Sequence, residues 1–99
     1  FVTRVLGNLA SGDFTVTDAK LYDYLRLLDS SEGKRIEPSS CAAFEGPCQL
    51  LTLEDSRRYC AEHGLTEEVL ANSVQIAWAT GGRLVPAQVW EQYLATHLD

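Results

Sequence analysis

Apolar side chains recur every three or four residues along several stretches of this chain, and that spacing commits most of it to helices. Leu21, Tyr22, Leu25 and Leu28 form an apolar stripe, widened by Tyr24 and Leu27. With N-cap residues at 15–18 and Asp18 in the first turn, this predicts a helix over 17–29. Val2, Val5, Leu6 and Leu9 suit a shorter helical face, broken by Ser11-Gly12-Asp13. Leu53, Tyr59 and Cys60 face inward on a helix that Thr52 caps and Gly64 ends. Thr66 opens a further helix over 66–78, with Val69, Leu70, Val74 and Ile76 apolar, and Gly81-Gly82 stops it. Arg83-Leu84-Val85 reads as a short extended piece. Pro86 sits at the first turn of a last helix over 86–97, which buries Val89, Trp90, Tyr93, Leu94 and Leu98. Between the helices, residues 29–50 are rich in Ser, Gly and Pro and read as a long irregular loop with one helical turn at 39–44. The fold class is all-α, with four to five helices in a single domain spanning 1–99.

Charge narrows the function. Eight Lys and Arg face fourteen Asp and Glu, a formal net charge of -6. The basic residues form no stripe, so nucleic acid and anionic membranes make poor partners. No apolar run is long enough to span a membrane. The chain begins Phe1-Val2-Thr3-Arg4, which is neither a signal nor a transit peptide and has no Met. A piece of a longer chain is expected. Three cysteines, an odd number, fit a reduced, intracellular and cytoplasmic setting better than a disulfide scaffold.

Two helix–loop–helix units at these spacings resemble an EF-hand pair, over about residues 17–98. Leu21, Leu25 and Leu28 precede Asp29 as the entering helix of an EF-hand precedes its first ligand. Asp29-Ser30-Ser31-Glu32-Gly33-Lys34-Arg35-Ile36 then puts Ile36 at the eighth position, where EF-hands pair two loops through a two-strand bridge. Leu51 to Asp55 resembles the run into an exiting helix. Gly64-Leu65-Thr66 is similar to the linker between paired hands in Eps15-homology domains, and calmodulin-like pairs share the layout. The resemblance implies an expanded first loop. It also implies a degenerate site, because calcium loops need Gly at position six and a bidentate Glu at twelve. Here Gly33 stands at five and Ser40 at twelve, and the second loop offers Ala77, Trp78, Ala79 and Thr80.

The function expected on that basis is calcium-independent binding of a basic or amphipathic protein segment, in an apolar groove between 17–29 and 66–98. Tyr22, Leu25, Trp78 and Tyr93 are the candidate contacts; Trp90 reads as core, and Trp78 is open to either role. Two alternatives stay open: a calcium site of unusual form through Asp29, Ser31, Glu32 and Glu37, and a purely structural domain. Cys41, Cys48, Cys60 and His63 are the sharpest zinc set, against a plainer reading as buried or loop thiols. A Cys41–Cys48 disulfide would need an oxidising compartment. Cys60 with His63 lacks an orienting third group, and Glu54-Asp55 and Glu67-Glu68 are explained by helix starts. No catalytic residues, no cofactor and no enzyme activity are expected.

Overall fold

The structure is a computed structural model, and it describes residues 2–98. Phe1 and Asp99, the outer limits of the expected domain, lie outside the described residues. Six α-helices and one 3₁₀ helix follow in order: α1 Val2–Leu6, α2 Asp18–Glu32, the 3₁₀ helix Pro38–Phe44, α3 Glu45–Thr52, α4 Glu54–Glu62, α5 Glu67–Ala71 and α6 Ala87–Ala95. No strand occurs among the described residues. The helical class therefore stands. The EF-hand pair and its two-strand bridge do not.

Local chemistry explains each departure. Thr17 caps α2, its hydroxyl accepting from the Lys20 amide at 3.4 Å. The helix then continues past Asp29 to Glu32, and Gly33 closes it in the left-handed region at φ 64°. Inside that last turn the Ser30 and Ser31 hydroxyls donate to the Leu27 carbonyl, at 3.1 and 2.6 Å. What resembled the start of a calcium loop is helix. The supposed long loop is also mostly helical, because its prolines sit where helices tolerate them. Pro38 opens the 3₁₀ helix and Pro47 lies in the first turn of α3, where no intrahelical amide is lost. Thr52 does not cap α4; its hydroxyl donates back to the Cys48 carbonyl at 2.7 Å, and extended Leu53 takes the N-cap position without a side-chain bond.

The expected helix over 66–78 is the largest miss. Thr66 caps it as anticipated, accepting from the Val69 amide at 3.2 Å. It ends at Ala71, where the Asn72 side chain donates to the Glu68 carbonyl and the Ser73 hydroxyl to the Leu70 carbonyl. Residues 73–80 run on without helix, turn or bend, and a turn closed by the Val85 amide on the Gly82 carbonyl follows. Their β-branched Val74 and Ile76 repeat with a period of two, which belongs to extended chain rather than helix.

The core is small. Leu25 of α2, Cys41 of the 3₁₀ helix and Trp90 of α6 are buried together, ringed by Leu21, Tyr24, Ile36, Phe44, Val85, Tyr93 and Leu94. Cys60 is buried separately on α4. Outside this cluster large apolar side chains face solvent, among them Leu9, Val74, Ile76, Trp78 and Leu84. The accessible surface is 7867 Å² for a mass of 10.9 kDa. A compact monomer of that mass exposes about 5,600 Å². The radius of gyration, 15.8 Å, likewise exceeds the roughly 12.6 Å of a compact chain of this length. No helix is long and apolar enough to cross a membrane among the described residues.

Because Leu25 is buried in the cluster that joins α2, the 3₁₀ helix and α6, Leu25→Ala is expected to cost about 2–5 kcal/mol. Urea unfolding should show a lowered midpoint with an unchanged slope.

Candidate functional site

Two polar clusters flank the core. The first forms where the segment after α2 crosses the Gly81-Gly82 turn. Both glycines have positive φ, 78° and 121°. A Cβ on Gly82 would stand 2.7 Å from Ile36 Cα and 2.9 Å from the Arg35 carbonyl oxygen. Only a residue without a side chain permits this approach. A Cβ on Gly81 would meet Glu37 Oε1 at 3.0 Å, so the Glu37 carboxylate lies directly over that backbone. One turn further along the 3₁₀ helix, the Ser40 hydroxyl is 3.4 Å from the Thr80 hydroxyl. A carboxylate, two hydroxyls and a bare glycine backbone thus share one spot, an arrangement able to orient a small polar ligand. Below it Cys41 packs into the core, its thiol directed at the Glu37 carbonyl at 3.6 Å. Burial pushes that thiol up to about 11, so it stays neutral.

The second cluster ties α2 to α3. The Tyr24 hydroxyl donates to Glu45 Oε2 and lies 3.5 Å from Cys48 Sγ. Gln49 donates to Glu45 Oε1 at 3.4 Å and to the Thr15 carbonyl at 2.6 Å. The bond to Glu45, then Cys48, then partial burial hold the Tyr24 phenol well above the usual tyrosine range. This group of side chains reads as a fastening between elements rather than a reaction centre.

Of the contact residues singled out from sequence, Tyr22, Leu25 and Tyr93 gather between α2 and α6, and Trp78 stands apart. Leu25 is core, at 1% exposure. Tyr22 and Tyr93 meet across α2 and α6 with ring centroids 6.3 Å apart, and Tyr93 stands edge-on to Trp90 at 5.6 Å. Trp78 is 83% exposed in the extended segment. Open hollows occur elsewhere than in the expected groove. One of about 530 Å³ lies among α3, α4 and α5, lined by Leu50, Cys60, Leu65 and Leu70 among others. Another of about 540 Å³ lies beside Phe14 and Tyr59. The residues of the calcium alternative have other engagements. Asp29 is held by Arg35 Nε at 2.9 Å, Ser31 and Glu32 lie in α2, and Glu37 faces the glycine turn. No group of three His, Cys, Asp or Glu able to hold a metal occurs among the described residues, the zinc set included. All three cysteines are free thiols. The Glu37–Thr80 cluster was missed because its parts lie far apart in sequence; the double glycine was its one local signal.

No protein-family model matches the chain. Full-length curated proteins do. A protein of Fusobacterium nucleatum named probable D-serine dehydratase is 50% identical over 97 residues, covering 98% of this chain and 22% of that protein. One of the same name from Desulfitobacterium hafniense is 44% identical over 95 residues, 96% of this chain and 21% of the relative. The D-serine dehydratase of Yersinia enterocolitica is 40% identical over 96 residues, 97% and 21%. The chain spans about a fifth of the length of these relatives. These likenesses overturn the EF-hand resemblance, the calcium-independent segment-binding function drawn from it and the expectation of no enzyme activity. The calcium and purely structural alternatives gain nothing from them. The misleading features were the spacing of Asp29 after a leucine stripe and the Gly-Leu linker, both of which a helical segment of any origin can carry.

Two measurements test this geometry. Gly82→Ala forces two backbones apart and should destabilise by about 3 kcal/mol or more, against about 1–2 kcal/mol for Gly64→Ala, which meets only the cost of positive φ. Their urea midpoints should separate accordingly. Tyr24 titrates higher when folded than unfolded, so its bonds add stability that is full below pH of about 10 and fades as pH climbs through the folded value. Tyr24→Phe should therefore lower the urea midpoint clearly at pH 7 and less at pH 11.

Proposed function

We propose that this chain is a helical segment of a D-serine dehydratase, an enzyme that removes the elements of water from D-serine, and that its Glu37–Ser40–Thr80–Gly81 cluster forms part of the wall of the substrate pocket. The carrying observation is identity of 40–50% across nearly the whole chain to proteins of that name. The open architecture supports it: a surface about 2,300 Å² larger than a compact monomer's is in the range buried by permanent interfaces. In this reading the partner of the chain is the remainder of its own polypeptide, and the apolar side chains left exposed are the contact. Trp78 is a candidate contact residue on that basis, while Tyr22 and Tyr93, half-buried against each other, stay candidates only at their outer edges.

The cluster suits a small β-hydroxy amino acid. A carboxylate accepts from an ammonium group or a hydroxyl, and a pair of hydroxyls can both donate and accept. The glycine turn lets ligand atoms approach the backbone without a side chain in the way. The role assigned to Glu37, Ser40 and Thr80 is to bind and orient.

The test is an assay of the polypeptide that carries this chain. It should consume D-serine and leave L-serine largely untouched. Glu37→Gln should lower kcat/KM for D-serine by about 10- to 100-fold, as expected for loss of a charged hydrogen bond, with an unchanged urea midpoint. No consumption of D-serine by the intact polypeptide would overturn the function, and full activity of the Glu37→Gln and Thr80→Val variants would remove the cluster from the pocket.

A further inference from the structure

Residues 72–82 read Asn-Ser-Val-Gln-Ile-Ala-Trp-Ala-Thr-Gly-Gly, without a charged side chain. Along them Val74, Ile76 and Trp78 are 84%, 87% and 83% exposed. Apart from Leu84, these are the most exposed large apolar side chains among the described residues. The backbone is as bare as the side chains. Among the described residues, no amide or carbonyl of 74–80 makes a backbone hydrogen bond. An extended stretch with unpaired backbone groups and uncovered Val, Ile and Trp is a strand without its sheet.

The two faces differ in a way that specifies the missing neighbour. Val74, Ile76 and Trp78 fall on one side of the pleat. Ser73, Gln75, Ala77 and Ala79 fall on the other, which suits close packing of another layer. Edge strands of natural sheets carry charges, prolines or bulges that discourage further pairing, and this stretch carries none. Strands covered on both faces and both edges have this composition. Its neighbours in sequence are helices, α5 before and α6 after, the order in which strands of a parallel sheet are connected.

We infer that residues 74–80 form an interior strand of a β-sheet whose other strands belong to the part of the polypeptide outside this chain. The inference rests on the reading of the chain as a segment of a longer dehydratase. That reading supplies the occupant, since about four-fifths of the length of the relatives lies outside the aligned region. A second copy of the chain is a poorer occupant. Two copies related by a two-fold axis would pair this strand with itself along one edge and leave the other edge bare. At about 3.3 Å per residue, seven residues give a strand of roughly 23 Å, ordinary for the centre of a sheet.

The experiment is amide hydrogen exchange of the intact polypeptide, read by mass spectrometry of peptides covering 72–83, alongside the D-serine assay. Exchange across 74–80 should be slowed at least about 1,000-fold relative to an unstructured peptide, and the protection should persist on dilution below any self-association. Ile76→Pro, which removes one ladder donor, should abolish that protection or prevent accumulation of the polypeptide, while Ile76→Val should keep it. Free-peptide exchange in the intact polypeptide would overturn the inference, as would protection that disappears on dilution, which assigns the cover to a second copy. D-serine turnover with free exchange rejects the strand and leaves the dehydratase reading standing. Protection without D-serine turnover does the reverse.

Discussion

Leu25, Cys41 and Trp90 come from three elements far apart in the chain, and their mutual burial holds α2, the 3₁₀ helix and α6 in register. Cys41 contributes no exposed atom at all, and its neutral thiol behaves as a compact apolar group. Because Cys41 sits four residues after Glu37, fixing it also fixes the strip 35–37 against which Gly82 packs. The polar cluster is therefore a consequence of the core. Its carboxylate and hydroxyls stand where they do because a cysteine beneath them is locked in place.

The helices that fold around this core were legible because they carry a one-sided apolar stripe. α2 and α6 agree with the expected 17–29 and 86–97 to within a few residues, and Trp90 takes the core position assigned to it. Two segments misled for opposite reasons. Residues 38–50 looked like loop because Ser, Gly and Pro dominate, yet both prolines occupy first-turn positions where they favour helix. Residues 73–78 looked helical because Val74 and Ile76 extended an apolar run from α5. Their alternation was the truer signal, and Asn72 and Ser73 turn back onto the preceding carbonyls. In both places local composition and local period disagreed, and position relative to the helix terminus decided.

The candidate site was hidden for a different reason. Glu37, Ser40 and Thr80 meet only through tertiary contact, and each alone is an unremarkable polar residue. The EF-hand resemblance drew instead on features that lie close together, Asp29 after a leucine stripe and Ile36 seven residues on. The helix absorbs the first of these. Ile36 packs against the core cluster and its backbone is what Gly82 touches, so it pairs with a glycine turn rather than with a second loop.

The two proposals bear on one another through a single turn. Ligands of open α/β sheets bind beyond the carboxyl ends of the strands, where backbone leaves the sheet and side chains from neighbouring loops converge. A strand over 74–80 ends at Thr80 and runs straight into Gly81-Gly82, the point at which Glu37 and Ser40 are already gathered. The apolar half of the segment would then anchor the chain to its sheet, and the polar half would be held at the sheet's open end. On this arrangement the glycines serve two requirements at once. They turn the chain sharply off the strand, and they keep the floor of the cluster free of side chains. A separate folded module would need neither an uncharged, unpaired strand nor a surface this large; a piece whose site is completed by the rest of its polypeptide needs both.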